Sequence, residues 1–463
     1  MSPWIATAIC AAGILGLFWL DRGEKVRASV ALWIPVIWLS LACSRSVGQW
    51  LKVNPLDTPD QLLEGSPTDR LVYASLLALG LIVLICRGSR SGRLLRANGP
   101  LLLFFLYCAM SILWSDYPDV AFKRWIKALG DLVMVLVVLT DREPLAAFKR
   151  LLARMTYVLI PLSILFIKYY PELGTRYSLW GGKAENLGVT TNKNALGVIC
   201  LCLGLGAFWR FLTAYDDRNK EGRKRRLLVQ AVILAMVLWL FRTANSVTSS
   251  SCFLMGSILI AATKLRLIQR RPVVVHLLIA AMLAVSVSVL FFGVSPEALA
   301  TMGRNPTLTD RTEVWKELLT LVRNPLTGAG FESFWLGSRL QKLWNIYWWH
   351  PNEAHNGYLE IYLNLGWTGV ILLAAVLVKG YRTLFAAWSG SFPLGDVRVA
   401  YFLVGLSYNF TEAAFFRMLA PAWLFLLFAI VSVPPVSLDE IRLSAEKQFQ
   451  RAGDHHRELL AES

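Results

Sequence analysis

Charge is scarce in this chain. Only 17% of its 463 residues are Asp, Glu, Lys or Arg, against about 25% in soluble domains. A soluble fold of this length would build two or three cores under a charged surface, and this composition excludes it. Several catalytic signatures are missing too. There is no HExxH, no P-loop and no GxSxG, so nucleotide-driven work, zinc-protease chemistry and serine-hydrolase chemistry find no support. The seven cysteines (Cys10, Cys43, Cys86, Cys108, Cys200, Cys202 and Cys252) lie in or beside apolar segments and form no CxxC. Neither a disulfide frame nor a cysteine metal site follows from such a pattern. The chain also lacks internal repeats and low-complexity tracts.

What is present is hydrocarbon. Hydrophobic residues make up 56%, with 18 Trp and 23 Phe, and the mean hydropathy is +0.50. Apolar runs of about 20 residues recur from end to end, each long enough to cross a bilayer as a helix. Spans are expected at 3–20, 28–44, 71–87, 99–115, 125–141, 151–169, 194–214, 227–243, 249–267, 274–293, 357–379, 397–412 and 417–433. The first run has no basic flank and no small-residue cleavage site, so it reads as a span rather than a signal peptide. The last two are interrupted by Asn409, Thr411, Glu412 and Arg417, and two spans or one broken hairpin fit equally. The expected fold is therefore an all-α polytopic membrane protein of about 12–13 transmembrane helices.

The formal charge of +16 would suit nucleic acid, but its distribution does not. The positives crowd short loops: Arg87, Arg90, Arg93 and Arg96; Arg218, Lys220 and Arg223 to Arg226; Lys264, Arg266, Arg270 and Arg271. That is the positive-inside pattern. It places the N-terminus outside, the 434–463 tail inside, and loops 45–70, 116–124, 170–193, 244–248, 294–356 and 413–416 outside. The chain then divides into an N-terminal bundle of about ten spans (1–293), a large outer loop (294–356), C-terminal helices (357–433) and the tail. The 294–356 loop is too long for a connector. Its stretch 310–322 has helical spacing of Val314, Trp315, Leu318, Leu319 and Val322, with Asp310 and Glu313 resembling a capping box. Trp335, Trp344, Trp348 and Trp349 follow, as in a roof lying on the outer leaflet.

Several residues have the chemistry of a site. His355, in PNEAHNGYLEIYLNLGWTG (351–369), sits where a polar loop becomes an apolar helix. It reads either as an interfacial histidine with one hydrogen bond or as a general base for a hydroxyl nucleophile. Asn356, Glu360 and Asn364 form a polar stripe down the next helix. Such groups inside a span need a partner or a wet cavity; for Glu360 a basic residue on another helix is expected. Arg311 reads either as the partner of Asp310 or Glu313, or as a bidentate phosphate ligand. Arg242 ends a span beside Thr243, Asn245, Ser246, Thr248 and Ser249. Snorkelling accounts for it, and so does a sugar or diphosphate. In GVTTNKNALG (188–197), with Arg176 upstream, Asn192, Lys193 and Asn194 offer an anion site in principle, although a polar helix cap is the simpler reading. Lys123 and Arg124 follow Trp114–Pro118 on the outer side, against the charge rule, and so suggest an anionic partner. The outer loops contain no DxD pair, which leaves metal-dependent chemistry without support.

These segments together carry a resemblance. HNGYLEIYLNLGWTG resembles the signature of the O-antigen ligase-like superfamily, which covers O-antigen ligases, O-antigen polymerases and exopolysaccharide polymerases. LTDRTEVWKELLTLVRNPLTGAGFESFW (308–335) is similar to the family's loop segment, and GVTTNKNALG and WSDYP resemble family segments in the same order. The likeness runs over roughly 110–370 and leans to the exopolysaccharide-polymerase branch. It implies a membrane glycosyltransferase of the GT-C type, without cofactor or metal, in the bacterial inner membrane. Such an enzyme takes a glycan from undecaprenyl diphosphate and passes it, with inversion, to a hydroxyl of a glycan or lipid-core acceptor on the periplasmic face. By motif match, the loop histidine is His355 and the loop arginine Arg311. The family's Ser-Arg dipeptide falls on Ser246–Val247, without the arginine. Arg242, one turn away, is its substitute, and the departure counts against lipid A-core ligase activity. A polytopic transporter or flippase for the same lipid is the rival, and its marks would be broken helices and inverted repeats; a sensor or scaffold is a second.

All of these roles depend on sidedness. Residues 216–226 carry six Lys/Arg against three acids, whereas 294–356 carry six of each. In a cysteine-free background, a cysteine at Ser338 is expected to react with an impermeant maleimide in spheroplasts, and one at Asn219 is not. The reverse pattern would move His355 to the cytoplasm and end the periplasmic reading.

Overall fold

In hydrocarbon a chain must satisfy its own backbone, and helices do so without partners. The computed structural model describes residues 1–22, 28–52, 66–177, 182, 184–217, 222–265, 268, 271–292, 308–388 and 395–434. Its helices are α1 (Pro3–Leu20), α2 (Trp33–Ala42), α3 (Val47–Trp50), α4 (Pro67–Cys86), α5 (Gly88–Ala97), α6 (Gly99–Met110), α7 (Pro118–Leu139), α8 (Pro144–Tyr169), α9 (Pro171–Gly174), α10 (Lys193–Asp216), α11 (Arg223–Ala244), α12 (Val247–Thr263), α13 (Pro272–Phe292), α14 (Leu308–Thr320), α15 (Gly337–Ile346), α16 (Gly357–Trp388), α17 (Gly395–Tyr408) and α18 (Pro421–Ile430). One small antiparallel hairpin, β1 (Thr175–Tyr177) with β2 (Ala184–Asn186), pairs Arg176 with Glu185. Proline opens α1, α4, α7, α8 and α18, where its missing N–H would have had no helical partner anyway.

All thirteen apolar segments expected from the sequence hold a helix, in an all-α polytopic membrane protein. Among the described residues, α1, α4, α8, α10, α11 and α16 are long and apolar enough to cross a membrane, which makes six. The pair formed by α5 and the 99–114 helix, bent by 86°, would make a seventh. The apolar helices α2, α12, α13 and α18 are shorter. Helix α7 is long but carries Asp119, Lys123, Arg124, Lys127 and Asp131. Helix α10 is buried almost throughout and packs on α8, α11, α12, α17 and α18. A second, smaller core lies in the roof, where Val314, Leu318, Phe334, Trp335, Leu340, Leu343, Ala354 and Leu363 meet.

In the 397–433 region, α17 and α18 flank the non-helical segment 409–420. Two expectations need correction. Helix α14 starts at Leu308, so Asp310 lies within its first turn and not at its cap. The 357–379 span runs to Trp388 and is broken at Gly366.

The break at Gly366 (φ 62°, ψ −165°) strands backbone groups, and the roof serves them. Ala329 and Gly330 donate to the carbonyls of Leu363 and Asn364 at 3.1 and 2.8 Å, while Trp367 and Thr368 donate to Pro325 and Leu326 at 2.8 and 3.2 Å. The segment NPLTGAG is thereby laced to LNLGWTG. A Cβ on Gly366 would lie 2.3 Å from the Leu326 carbonyl carbon, and this region of φ/ψ is essentially confined to glycine. Gly366→Ala is expected to destabilise the protein by about 2 kcal/mol or more, read as a lower unfolding midpoint in detergent. An unchanged midpoint would contradict this account of the kink.

Candidate functional site

The site begins with the turn into α16. Asn356 caps the helix, its Oδ1 accepting from the backbone of Tyr358 and Leu359 at 3.0 Å each. Gly357 N–H donates to the Asn409 carbonyl at 2.8 Å, which joins this turn to the 409–420 segment. Glu360 pins the turn from below. Its carboxylate accepts from Trp335 Nε1 (2.6 Å), Ala354 N–H (2.9 Å) and Asn364 Nδ2 (3.0 Å). The expected basic partner of Glu360 is therefore replaced by three neutral donors, which suit a carboxylate buried in the roof better than a lone cation would. Asn364 Oδ1 in turn accepts from Ser333 and Phe334 N–H at 2.9 and 3.1 Å. Glu360 and Asn364 of the polar stripe face the roof and hold it down, whereas Asn356 donates to the Phe410 carbonyl at 3.3 Å.

His355 then stands at the junction, with left-handed backbone (φ 48°). Its Nδ1 lies 3.1 Å from Glu412 Oε2 and 3.0 Å from Glu353 Oε1. Arg417 NH1 pairs with the other oxygen of Glu353. The four side chains are partly buried, His355 at 28% exposure and Glu412 at 12%. Carboxylates on Nδ1 favour the tautomer with the proton there, which leaves the Nε2 lone pair free to accept; this assignment is inferred from the partners. Among the described residues no hydrogen bond is made to Nε2. One oxygen each from Glu353 and Glu412 and one nitrogen of His355 also lie within 4.8 Å of one another, so these three residues could hold a metal ion. The fold thus assembles a carboxylate pair that no local motif spells.

The helix that carries Arg311 reaches the same place. Trp315, one turn after Arg311 in α14, donates its indole N–H to the Ala354 carbonyl at 2.8 Å. The Arg311 side chain lies outside the described residues. Arg242 is exposed at the end of α11, and its neighbouring turn touches the site's rim through Thr411 and Thr248 (Oγ1 to Oγ1, 3.3 Å). The remaining candidates gather elsewhere. Lys193 pairs with Glu185 at 2.7 Å, Asn192 caps α10 through Ala195 N–H at 2.8 Å, Asn194 lies in the first turn of α10, and Arg176 is exposed on β1. Among the described residues no hydrogen bond or ion pair joins this group to His355. Arg124 donates to the Glu332 carbonyl in the roof.

Glu353, Glu412 and Arg417 are site residues that the sequence reading did not single out as such. Their signal was present: Glu412 and Arg417 are charges inside an otherwise apolar stretch, where ionisable groups mark function.

Residues 232–374 match the family model described as O-antigen ligase. That range holds Arg242, Arg311 and His355 and ends before Glu412. The chain is also 24% identical over 288 residues to the exopolysaccharide production protein ExoQ of Rhizobium meliloti, covering 60% of this chain and 63% of that protein. The match therefore spans less than two thirds of its relative's length. These two matches, on an all-helical membrane bundle, support placing the chain in the O-antigen ligase-like superfamily, on the exopolysaccharide side.

Proposed function

We propose that the protein is a glycosyltransferase that polymerises or ligates glycan at the periplasmic face of the inner membrane, taking it from undecaprenyl diphosphate and giving it to an acceptor hydroxyl. The carrying observation is the Glu412–His355 pair: a carboxylate on Nδ1 leaves Nε2 to accept a proton. In this reading Nε2 takes the proton of the acceptor hydroxyl as its oxygen attacks the anomeric carbon. The bond from that carbon to the diphosphate breaks, and its electron pair leaves with the diphosphate oxygen. Attack opposite the leaving group inverts the centre. Glu412 steadies the imidazolium that results, as an orienting acid does in other base-activated nucleophiles. Arg311 and Arg242 are assigned to the growing phosphate charge, a role guanidinium fills without metal.

The rival reading, a flippase for the same lipid, gains one observation, the broken arm at 409–420, since broken helices line transport paths. Against it, the titratable cluster sits at the end of α16 and α17, not at mid-span. Lipid-linked glycan in a deletion strain distinguishes them: short units accumulate outside for a lost transferase, inside for a lost flippase.

The direct test is reconstitution with a lipid-diphosphate oligosaccharide and sizing of the product. His355→Ala is expected to lower turnover by about 100-fold or more, and Glu412→Gln by about tenfold or more, with both proteins still monodisperse. Arg311→Lys is expected to be nearly as damaging as Arg311→Ala, because lysine keeps the charge and loses the fork. Full activity in His355→Ala would remove the base. The same assay in excess EDTA is expected to run unchanged; loss restored by Mg²⁺ or Mn²⁺ would instead give Glu353, His355 and Glu412 a metal to hold.

A further inference from the structure

One buried acid has no part in the reaction described above. Asp131 sits on α7, fully buried at 0% exposure, about 20 Å along the helix from Pro118 at 1.5 Å per residue. No Lys or Arg pairs with it among the described residues. Its Oδ1 accepts from Trp38 Nε1 at 2.8 Å, and its Oδ2 accepts from Leu419 N–H at 2.8 Å. Trp38 can come this close because residue 130 is glycine; a Cβ there would lie 2.1 Å from the indole ring.

Leu419 belongs to the non-helical segment 409–420, just before α18. Residues 412–416 of it are buried, and buried backbone outside a helix has to be satisfied by protein groups. The segment is anchored at three places. Asn409 Oδ1 accepts from Ala414 and Phe415 N–H at 2.9 Å each. Phe416 (φ 53°) stacks on Phe104 with centroids 3.6 Å apart. Leu419 (φ 58°) is held by Asp131. Arg417 lies between the last two anchors, and Glu412 between Asn409 and its bonded amides. The same helix also supports the roof: Arg124, two turns before Asp131 and on the same face, donates to the Glu332 carbonyl.

We propose that Asp131 is a positioning residue for the His355 site: from within the bundle it fixes the segment that carries Glu412 and Arg417, so that one face of α7 sets both the roof and the base-orienting carboxylate. The catalytic part of this inference rests on the transferase reading; the structural part does not.

The test is a cycle of Asp131→Asn, Trp38→Phe and the double variant. Asn offers one acceptor oxygen and one N–H₂ to two N–H donors, so in wild-type surroundings one donor meets a donor. Trp38→Phe removes one of them and lets the Asn oxygen serve Leu419. Asp131→Asn is expected to lower turnover about tenfold or more with little change in donor KM, since small misplacements of catalytic groups are felt strongly. On the Trp38→Phe background the same change is expected to act by about twofold or less, a non-additivity that marks one shared interaction. Hydrogen exchange of the 413–423 amides in nanodiscs supplies a readout independent of activity: faster in Asp131→Asn, slow again in the double variant. Should Asp131→Asn alone fail to fold, the Trp38→Phe pair still decides by that exchange. Unchanged turnover and exchange in Asp131→Asn, or equal losses on both backgrounds, would overturn the proposal. If wild-type protein transfers no glycan, the transferase reading fails, and the exchange data still judge the anchor.

Discussion

The structure turns on one constraint. Buried backbone N–H and C=O groups must find partners inside the protein, and around the candidate site the described chain leaves the helix at Gly366 and along 409–420. At Gly366 the partners come from the roof segment 325–330. Along 409–420 they come from Asn409 and Asp131. Each repair ties a distant stretch of sequence to the bundle, and the candidate site lies between the two. His355 precedes the kinked helix, Glu412 and Arg417 ride the broken arm, and Gly357 N–H bonded to Asn409 closes the gap. The departures from helix are thus what bring the charges together.

The roof obeys the same economy of polar groups. Tryptophan serves there less as a membrane anchor than as a donor with a large apolar body. Trp315, Trp335 and Trp344 each give an indole N–H to a fixed acceptor near the His355 turn: Ala354 O, Glu360 Oε1 and Pro351 O. Only Trp348 of the group expected at the interface stands well exposed, at 61%. The WSDYP turn is likewise spent on the roof. Ser115 bonds Ser333 at 2.8 Å, Asp116 pairs with Arg339 at 2.6 Å, and Trp114 donates to Thr327 O at 3.3 Å.

Much of this was legible in the sequence because it depends on local pattern. Every apolar run became a helix, since length and hydropathy are properties of contiguous residues. His355 and the Asn356–Glu360–Asn364 stripe were legible for the same reason. What sequence reading could not supply was pairing across distance. Glu360 was expected to seek a cation, yet three neutral donors reach it from residues 335, 354 and 364. Arg124 stood out only as a positive charge on the outer side, and nothing local showed that it reaches a carbonyl 208 residues away. Glu412 interrupted a span for no visible reason until 409–420 was seen to leave the helix. For Glu360 and Glu412 the readable trace was a charge inside an apolar run; for Arg124 it was a positive charge on the outer side.

The charge distribution gives the proposed chemistry its direction. Around His355 stand two carboxylates and one guanidinium, so with a neutral imidazole this end carries a net negative charge. Such surroundings disfavour a diphosphate lying against the ring. The anion must then be held by other cations, and the sequence places them at the edges: Arg311 on the roof helix, one turn from the Trp315 anchor, and Arg242 beyond the Thr248–Thr411 contact. Under the transferase reading the site is divided into a proton-accepting end and a phosphate-binding end, with the anomeric carbon between them. A metal at Glu353, His355 and Glu412 would lie on the Nδ1 side and take the carboxylates that orient the base. Arg417 already neutralises Glu353, and with one carboxylate so engaged, Glu412 is left as the group that orients His355.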